Sequence, residues 1–429
     1  MLQVPPLKPR GKRAFMLRRR FEFLGALFVA AIVPWAFLRW WITDATFDPY
    51  SYHNSLFANV AAICLALWIR ITISTYPGIR GGQLILPAIV ASHATVVTLL
   101  LLSRLPYHRP SLAAGFGVHL LWAYGVYFFV QRRVWPRIAI VPFGVVEDLP
   151  RIERVEWHRL HRPVLEDAEG CTAIVADFAT KMPNEWEGFL ADAAVNGRIV
   201  YQVQQLTESL TGRVQIKHLS ENSFGSLAPA KAYMAVKHLA DFLFAVAMLP
   251  VALPVMAACA LAIRVADGAP VIFRQKRIGR GGREFTVFKF RSMQAVSDLE
   301  PDDRKAAMTG DGDVRITRIG GFLRRTRLDE LPQLGNILRG EMSFIGPRPE
   351  AYVLSNWYTD EIPFYRYRHV VRPGISGWAQ VNQGHVAEVN EVHLKLQYDF
   401  FYIKYFSPWL DILILFRTVK TMLTGRGAR

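Results

Sequence analysis

Long apolar runs alternate with basic segments over the first third of the chain. Phe23 to Leu38, Ser55 to Ile73, Leu84 to Leu102 and Leu112 to Val130 are each close to the roughly 20 residues that cross a bilayer core. The pattern predicts four transmembrane helices. The first 20 residues carry Lys8, Arg10, Lys12, Arg13, Arg18, Arg19 and Arg20 with no acid, a layout shared with secretory signal peptides. No small-residue cleavage site follows, and Trp35, Trp40 and Trp41 sit where an interfacial aromatic belt belongs, so the run reads as a retained span. Arg70 lies near the end of the second run, from which a long side chain snorkels to the interface. Basic residues crowd the N-terminus and the QRRVWPR segment after the fourth run, whereas Thr43 to Asn54 has none. Both ends of the bundle are therefore expected in the cytoplasm, with Arg104 and Arg109 in the third loop pulling the other way.

From Arg137 the texture changes to short β-rich runs, RIAIVPFG, CTAIVADF, GRIVYQVQ and GRVQIKHL, separated by acidic, helix-compatible stretches. This alternation predicts a small parallel α/β domain, Rossmann-like in layout. The first strand runs into VPFGVVEDL with the single Gly144, so the G-x-G-x-x-G of dinucleotide sites is missing, and no P-loop occurs. A structural or regulatory role is the better reading for this domain.

A fifth apolar run, Phe242 to Ile263, has Lys231, Lys237 and His238 before it and Arg264, Arg274, Lys276, Arg277, Arg280 and Arg283 after it. Pro250 and Pro254 sit mid-run, where each removes a helical hydrogen bond and bends the axis. Basic flanks on both sides of a central break predict a re-entrant hairpin that enters and leaves one leaflet; the competing reading is a kinked fifth span. Next comes VIFRQKRIGRGGREFTVFKFRSM, read as a β-hairpin turning at Gly279, Gly281 and Gly282. The expected organisation is a basic N-terminus (1–20), a four-helix membrane region (21–134), the α/β domain (135–230) and a third domain (231–429).

Composition narrows the partners. The chain is 52% hydrophobic and carries 51 Lys and Arg against 35 Asp and Glu, a formal +16. Such a balance suits anionic lipid surfaces or phosphorylated substrates, and no nucleic-acid module accompanies it. Cys64, Cys171 and Cys259 are scattered, which excludes a disulfide framework and a Cys-type zinc site.

Candidate chemistry centres on RIGGFLRRTRLDELPQLGNILRGEMSFIGPRPE. Pro332 implies a helix beginning near Asp329, which makes Asp329 a plausible N-cap. A helix N-terminus also receives phosphate, and neighbouring arginines keep a carboxylate ionised. The adjacent Asp329 and Glu330 allow one carboxylate to attack phosphorus while the other holds Mg²⁺, the usual partner of a diphosphate. Arg348, between Pro347 and Pro349, offers a rigid bidentate fork to such a group. His385, Glu388, Glu391 and His393 read as a solvated loop and helix face, not a metal cluster. The tail SPWLDILILFRTVKTML, with a Ser cap and a one-sided apolar stripe, reads equally as an interfacial amphipathic helix or a core helix.

KHLAD (237 to 241), the proline-interrupted run, FKFRSM, RTRLDELPQLGNILRGEMSFIGPRPE, VRPGISGWAQVN and LDILILFRTVKTML occur in the order found in bacterial sugar transferases, which this chain closely resembles from about Lys231 to its end. That family comprises polyprenyl-phosphate glycosyl-1-phosphate transferases. The resemblance implies a monotopic catalytic domain with a re-entrant helix and amphipathic helices, at the cytoplasmic face of the bacterial inner membrane. It further implies that Asp329 attacks a UDP-sugar, releasing UMP and leaving a phosphosugar-aspartate ester, which undecaprenyl phosphate resolves. Glu330 is implied as Mg²⁺ ligand or catalytic partner, Arg324, Arg348, Lys289 and Arg291 as phosphate-facing groups, and Lys237 with Asp241 as the base of the re-entrant helix. Inner-membrane lipids, and a second copy in a homodimer, complete the expected partners. Three positions depart from the family pattern: His238 stands where a second basic residue is usual, Leu253 where serine often precedes the proline, and Gln383 separates Asn382 from Gly384. A catalytically silent scaffold of polysaccharide assembly is the rival reading.

Overall fold

The computed structural model describes residues 19–41, 48–73, 85–129, 137–145, 155–214, 229, 231–294, 315–383 and 389–424. Contacts divide the chain into two units, Met1–Gly212 and Arg213–Arg429.

The first unit opens with four apolar helices: α1 (Arg19–Ala26, Leu27–Ile32 and Val33–Trp41 in succession), α2 (Pro49–Ile73), α3 (Ile85–Leu102) and α4 (Arg109–Phe129). Each is long and apolar enough to cross a membrane. The middle of α1 is π-helical just ahead of Pro34, whose ring and missing N–H disturb the turn before it. Small residues bring the helices together. Ala26, Ala30 and Ala31 are buried against Ile63, and a Cβ on Gly25 would fall 2.0 Å from the Trp122 ring. Arg70 does not reach outward as its position suggested; its guanidinium pairs with Glu22 of α1, because in an apolar bundle a buried counter-charge is the better-compensated partner.

A parallel four-stranded sheet follows in the order β2-β1-β3-β4, from β1 (Arg137–Ile140), β2 (Glu156–Arg159), β3 (Ala173–Ala176) and β4 (Val200–Gln202). Helix α5 (Asn184–Val195) buries Trp186, Phe189 and Leu190 against Ala139, Val141 and Ile174, and α6 (Val203–Thr211) buries Leu206 with Ile138, Val175 and Tyr201. The edge strand β2, EWHR, lacks an apolar run, so composition gives no sign of it. Most of GRVQIKHL lies outside the described residues.

The second unit begins with α7 (Lys231–Ala266), a single helix that continues through Pro250 and Pro254 instead of opening into a hairpin loop. A mid-helix proline removes one backbone bond and clashes with one carbonyl, and the flanking turns hold. Ala245 and Ala252 pack on Val287, Leu334, Ile337 and Met342, and Cys259 and Ile263 pack on Phe290 and Leu323. Phe242, Leu243, Phe244, Val251, Leu253, Leu261 and Val265 stay exposed. One apolar face of α7 is thus docked along its length, and the opposite face is uncovered.

Strands β5 (Ile272–Ile278) and β6 (Glu284–Phe290) form the expected antiparallel hairpin, its turn carried by Gly281 and Gly282 at φ +69 and +76. Then come α8 (Arg318–Thr326), a 3₁₀ turn (Leu328–Gln333), α9 (Leu334–Leu338), β7 (Ser343–Ile345), α10 (Tyr352–Glu361), a second 3₁₀ turn (Tyr365–Val370) and β8 (Gly374–Ser376). Three helices close the chain, α11 (Trp378–Gln383), α12 (Val389–Lys404) and α13 (Pro408–Thr424). β7 and β8 pair in parallel, and the close approach of Gly346 to Gly374 leaves no room for a side chain at either. In α13 Leu410, Leu413 and Ile414 are buried while Leu415, Val419 and Met422 are exposed, so one face is packed in the core and the other is apolar and exposed. Ser407 Oγ accepts from Leu410 N as its cap.

Candidate active site

The acid pair sits in the 3₁₀ turn between α8 and α9. Arg327 ends α8 and starts the turn at φ +61, a left-handed conformation that costs a non-glycine residue on the order of 1 kcal/mol. That geometry corrects the capping expectation: Arg327, not Asp329, occupies the cap position, and Asp329 lies inside the turn. Asp329 is 8% exposed, and its Oδ1 is buried with no hydrogen-bond partner. An aspartate with a free buried oxygen holds no helix end.

Glu330 is the counterpart. Its Oε1 accepts from Arg348 Nη2 at 2.9 Å, with Arg327 Nη1 at 3.4 Å and Lys289 Nζ at 3.9 Å. Burial acts to raise the Glu330 carboxyl, but Arg348, Lys289 and Arg327 outweigh it and hold the group at about 2. Burial raises Asp329 to about 6, the negative Glu330 adds to the rise, and the cations only partly offset it. The arginines of this segment therefore keep Glu330 ionised, not Asp329 as the sequence suggested. Neighbouring carboxyls driven apart in this way mark a division of roles. Burial, with Arg348 and Arg277 alongside, lowers the Lys289 ammonium.

Of the residues expected to face phosphate, Lys289 on β6 and Arg348 on the loop after β7 reach the pair. Arg291 does not. Its guanidinium donates to the carbonyls of Ala269 and Gly268, because the chain leaving α7 presents acceptors that no strand meets. Arg324 lies in the last turn of α8, and no contact brings its side chain to the pair. Arg327 and Arg277 are additions. Arg327 stood unremarked inside the motif itself, and Arg277 looked like one more hairpin cation until the fold brought it to the Pro349 carbonyl.

Lys237 and Asp241 lie at the opposite end of α7 from Ile263. Lys237 Nζ is 3.8 Å from Asp241 and 2.7 Å from Asp411 of α13. Asp241 accepts from Ser343 Oγ at 2.6 Å, and Tyr402 and Tyr233 donate to Asp411. These contacts tie the start of the apolar helix to β7, which leads straight into Gly346-Pro347-Arg348.

Among the described residues no three His, Cys, Asp or Glu side chains are grouped to hold a metal ion. Mg²⁺, however, takes one or two carboxylates plus substrate phosphates. The ionised carboxylate of Glu330, next in the chain to Asp329, fits that arrangement.

Residues 232–425 match the family described as bacterial sugar transferase. Over 409 residues the chain is 42% identical to the UDP-N-acetylgalactosamine-undecaprenyl-phosphate N-acetylgalactosaminephosphotransferase of Aeromonas hydrophila, covering 95% of each chain. It is 45% identical over 198 residues to the UDP-glucose:undecaprenyl-phosphate glucose-1-phosphate transferase of Xanthomonas campestris pv. campestris, covering 46% of this chain and 40% of that one. The Escherichia coli (strain K12) enzyme of the same description is 41% identical over 195 residues, 45% of this chain and 41% of its own. With residues 232–425 matching the family and nearly its whole length aligned to one such enzyme, the chain belongs to the bacterial sugar transferase family.

Proposed function

We propose that the protein transfers a sugar 1-phosphate from a UDP-sugar to undecaprenyl phosphate, releasing UMP and forming the undecaprenyl-diphosphate sugar that starts a surface polysaccharide. The observation that carries this reading is the free, buried Oδ1 of Asp329 beside a Glu330 pinned by three cations. Asp329 Oδ1 attacks the sugar-bearing phosphorus, the bond to the bridging oxygen breaks, and UMP leaves with that oxygen. A phosphate oxygen of undecaprenyl phosphate then attacks the same phosphorus, the aspartyl ester opens, and the carboxylate is restored. Burial that holds Asp329 near 6 leaves it mostly ionised above neutrality while keeping it more basic than an ordinary aspartate, as nucleophilic attack requires. Arg348 and Lys289 face the charge that gathers on the phosphoryl oxygens. Asp329 and Glu330 are the residues that would hold Mg²⁺, which when bound neutralises the diphosphate. The whole-chain relative acts on UDP-N-acetylgalactosamine, so that sugar is the first donor to test.

The contacts of α7 support a placement that keeps both of its ends on one side of the membrane. Its start is tied to Ser343 and Asp411, its middle to Leu334 and Ile337, and its end to Phe290 and Leu323, all within one folded unit. A segment spanning some 30 Å of hydrocarbon would leave one end out of reach of such a unit. The basic flanking segments favour a cytoplasmic location for that unit, at the inner membrane.

Purified protein with Mg²⁺, undecaprenyl phosphate and UDP-N-acetylgalactosamine is expected to release UMP. Asp329→Asn should abolish it, and donor alone should leave one labelled phosphosugar on the wild-type chain. Release by Asp329→Asn at the wild-type rate would refute the mechanism.

A further inference from the structure

Proline flanks Arg348 on both sides, so Pro347-Arg348-Pro349 presents three carbonyls and a single N–H. No strand ladder serves this triplet. Gly374 N donates to the Pro347 carbonyl at 3.0 Å, Arg368 Nη2 donates to the Arg348 carbonyl at 2.8 Å, and Arg277 donates to that of Pro349. Two of the three carbonyls are held by guanidinium groups, the buried one of Arg368 and the part-buried one of Arg277.

Arg368 is itself fixed on every side. It is 3% exposed, with Asp399 Oδ2 accepting from its Nε at 3.1 Å and its Nη2 at 2.8 Å, and Tyr365 Oη accepting from its Nη1 at 2.8 Å. Asp399 stands on α12, one turn after Lys395, which pairs with Glu350. Glu350 is also 3.7 Å from Arg368 and follows the proline triplet directly. A buried ion pair is weak grounds for stability, since apolar replacements of similar volume often do as well. What an apolar side chain, or a lysine already spent on Asp399, lacks is the further donor that the guanidinium fork directs at the Arg348 carbonyl. The other end of Arg348 is the guanidinium on Glu330.

We propose that Arg368 is a positioning residue for phosphosugar transfer: by holding the Arg348 backbone carbonyl it keeps the Arg348 guanidinium on Glu330 and facing the phosphate that the acid pair receives. This rests on the transferase reading above. A displacement of about 1 Å at a catalytic group costs on the order of 100-fold in rate, so a carbonyl left without its donor is felt at the chemistry.

The test is a double-mutant cycle on UMP release by the full chain, using wild type, Arg368→Lys, Arg348→Ala and the pair. Arg368→Lys is expected to lower kcat/KM by about 100-fold. The loss should fall on kcat with KM little changed, because the Arg348 guanidinium faces the charge that gathers on the transferring phosphoryl group. In the Arg348→Ala background the same change should alter the rate less than about twofold, since there is no guanidinium left to position. Tyr365→Phe, which removes only one acceptor of Arg368, runs the same cycle if Arg368→Lys fails to fold. A general folding defect lowers activity equally in both backgrounds, and that additive result overturns the proposal, as does a wild-type rate in Arg368→Lys. A wild-type chain that releases no UMP overturns the transferase reading and this inference with it. Wild-type activity with additive losses overturns the positioning role alone.

Discussion

Asp329→Asn changes one oxygen to an amide, removes the nucleophile and should leave the protein more stable. The ionised Asp329 is costly to the fold, because burial and the adjacent Glu330 both oppose its charge. The rise from an ordinary 3.8 to about 6, at about 1.4 kcal/mol per pH unit, amounts to about 3 kcal/mol. A carboxyl raised in the folded state is protonated in both states at low pH and contributes nothing there. Its cost appears as pH rises through 3.8 and is complete above about 6. Asparagine is neutral throughout, and it forfeits no bond at Oδ1, which has none. An amide group buried there gains no partner at Oδ1 either, so the expected gain at pH 8 is about 1 to 3 kcal/mol, within the range of other stabilising changes at strained sites. For a unit of about 200 residues that is roughly 2 to 10 °C in the midpoint of its thermal transition. The assay compares wild type and variant in one detergent at pH 8 and pH 4, with UMP release measured alongside. The variant should be inactive, more stable at pH 8 and nearly equal to wild type at pH 4. A variant no more stable at pH 8, or one whose advantage persists at pH 4, refutes the account of Asp329 as a buried, strained nucleophile.

Glu330→Gln should act in the opposite sense. The depression from 4.5 to about 2 is worth about 3 kcal/mol, present above pH 4.5 and lost as pH falls toward 2, so thermal melts at neutral pH should show a loss of about 3 to 5 kcal/mol. Whatever UMP release survives should have its acid limb at lower pH, because the neighbour that raises Asp329 is gone; a limb that stays or rises contradicts the coupling. Gly346→Ala places a Cβ 2.4 Å from the Arg372 carbonyl, forcing β7 from β8 and shifting Arg348, so UMP release should fall by about 100-fold; a wild-type rate would show that this approach is relaxed freely. Cysteines introduced at the exposed Val236 and Val265, either side of the apolar run, should both escape an impermeant thiol reagent added outside intact cells and both react in inverted vesicles. Labelling of Val265→Cys from outside would establish a fifth span.

Legibility followed the range of the interactions. The four apolar helices and the glycine turn of the β5–β6 hairpin rest on local composition and backbone freedom, and they stand where the sequence put them. Strand β2 escaped because EWHR at a sheet edge needs neither alternation nor an apolar run. Arg70 was misread because its partner Glu22 is 48 residues away, and nothing along the chain joins them. The same limit explains the site. Asp329, Glu330 and Arg348 fall inside one motif, whereas the reason Arg348 is fixed lies in Arg368 and Asp399, which resemble any helix or turn charge until the fold buries them. Arg291 erred the other way, a motif arginine whose fork is used up on carbonyls at the end of α7.

The docking of α7 also sets a timetable for synthesis. Asp241 waits for Ser343, which the ribosome adds 102 residues later. At about 5 to 20 residues per second the delay is roughly 5 to 20 s. During it the helix has neither its ionic anchor nor the Leu334, Ile337 and Met342 that cover its inner face. Lipid is the one medium at hand that tolerates so much bare apolar surface. In the placement proposed above, the nascent chain commits to the bilayer before its acid pair has been translated, and the proposed reaction centre is completed on a membrane already occupied.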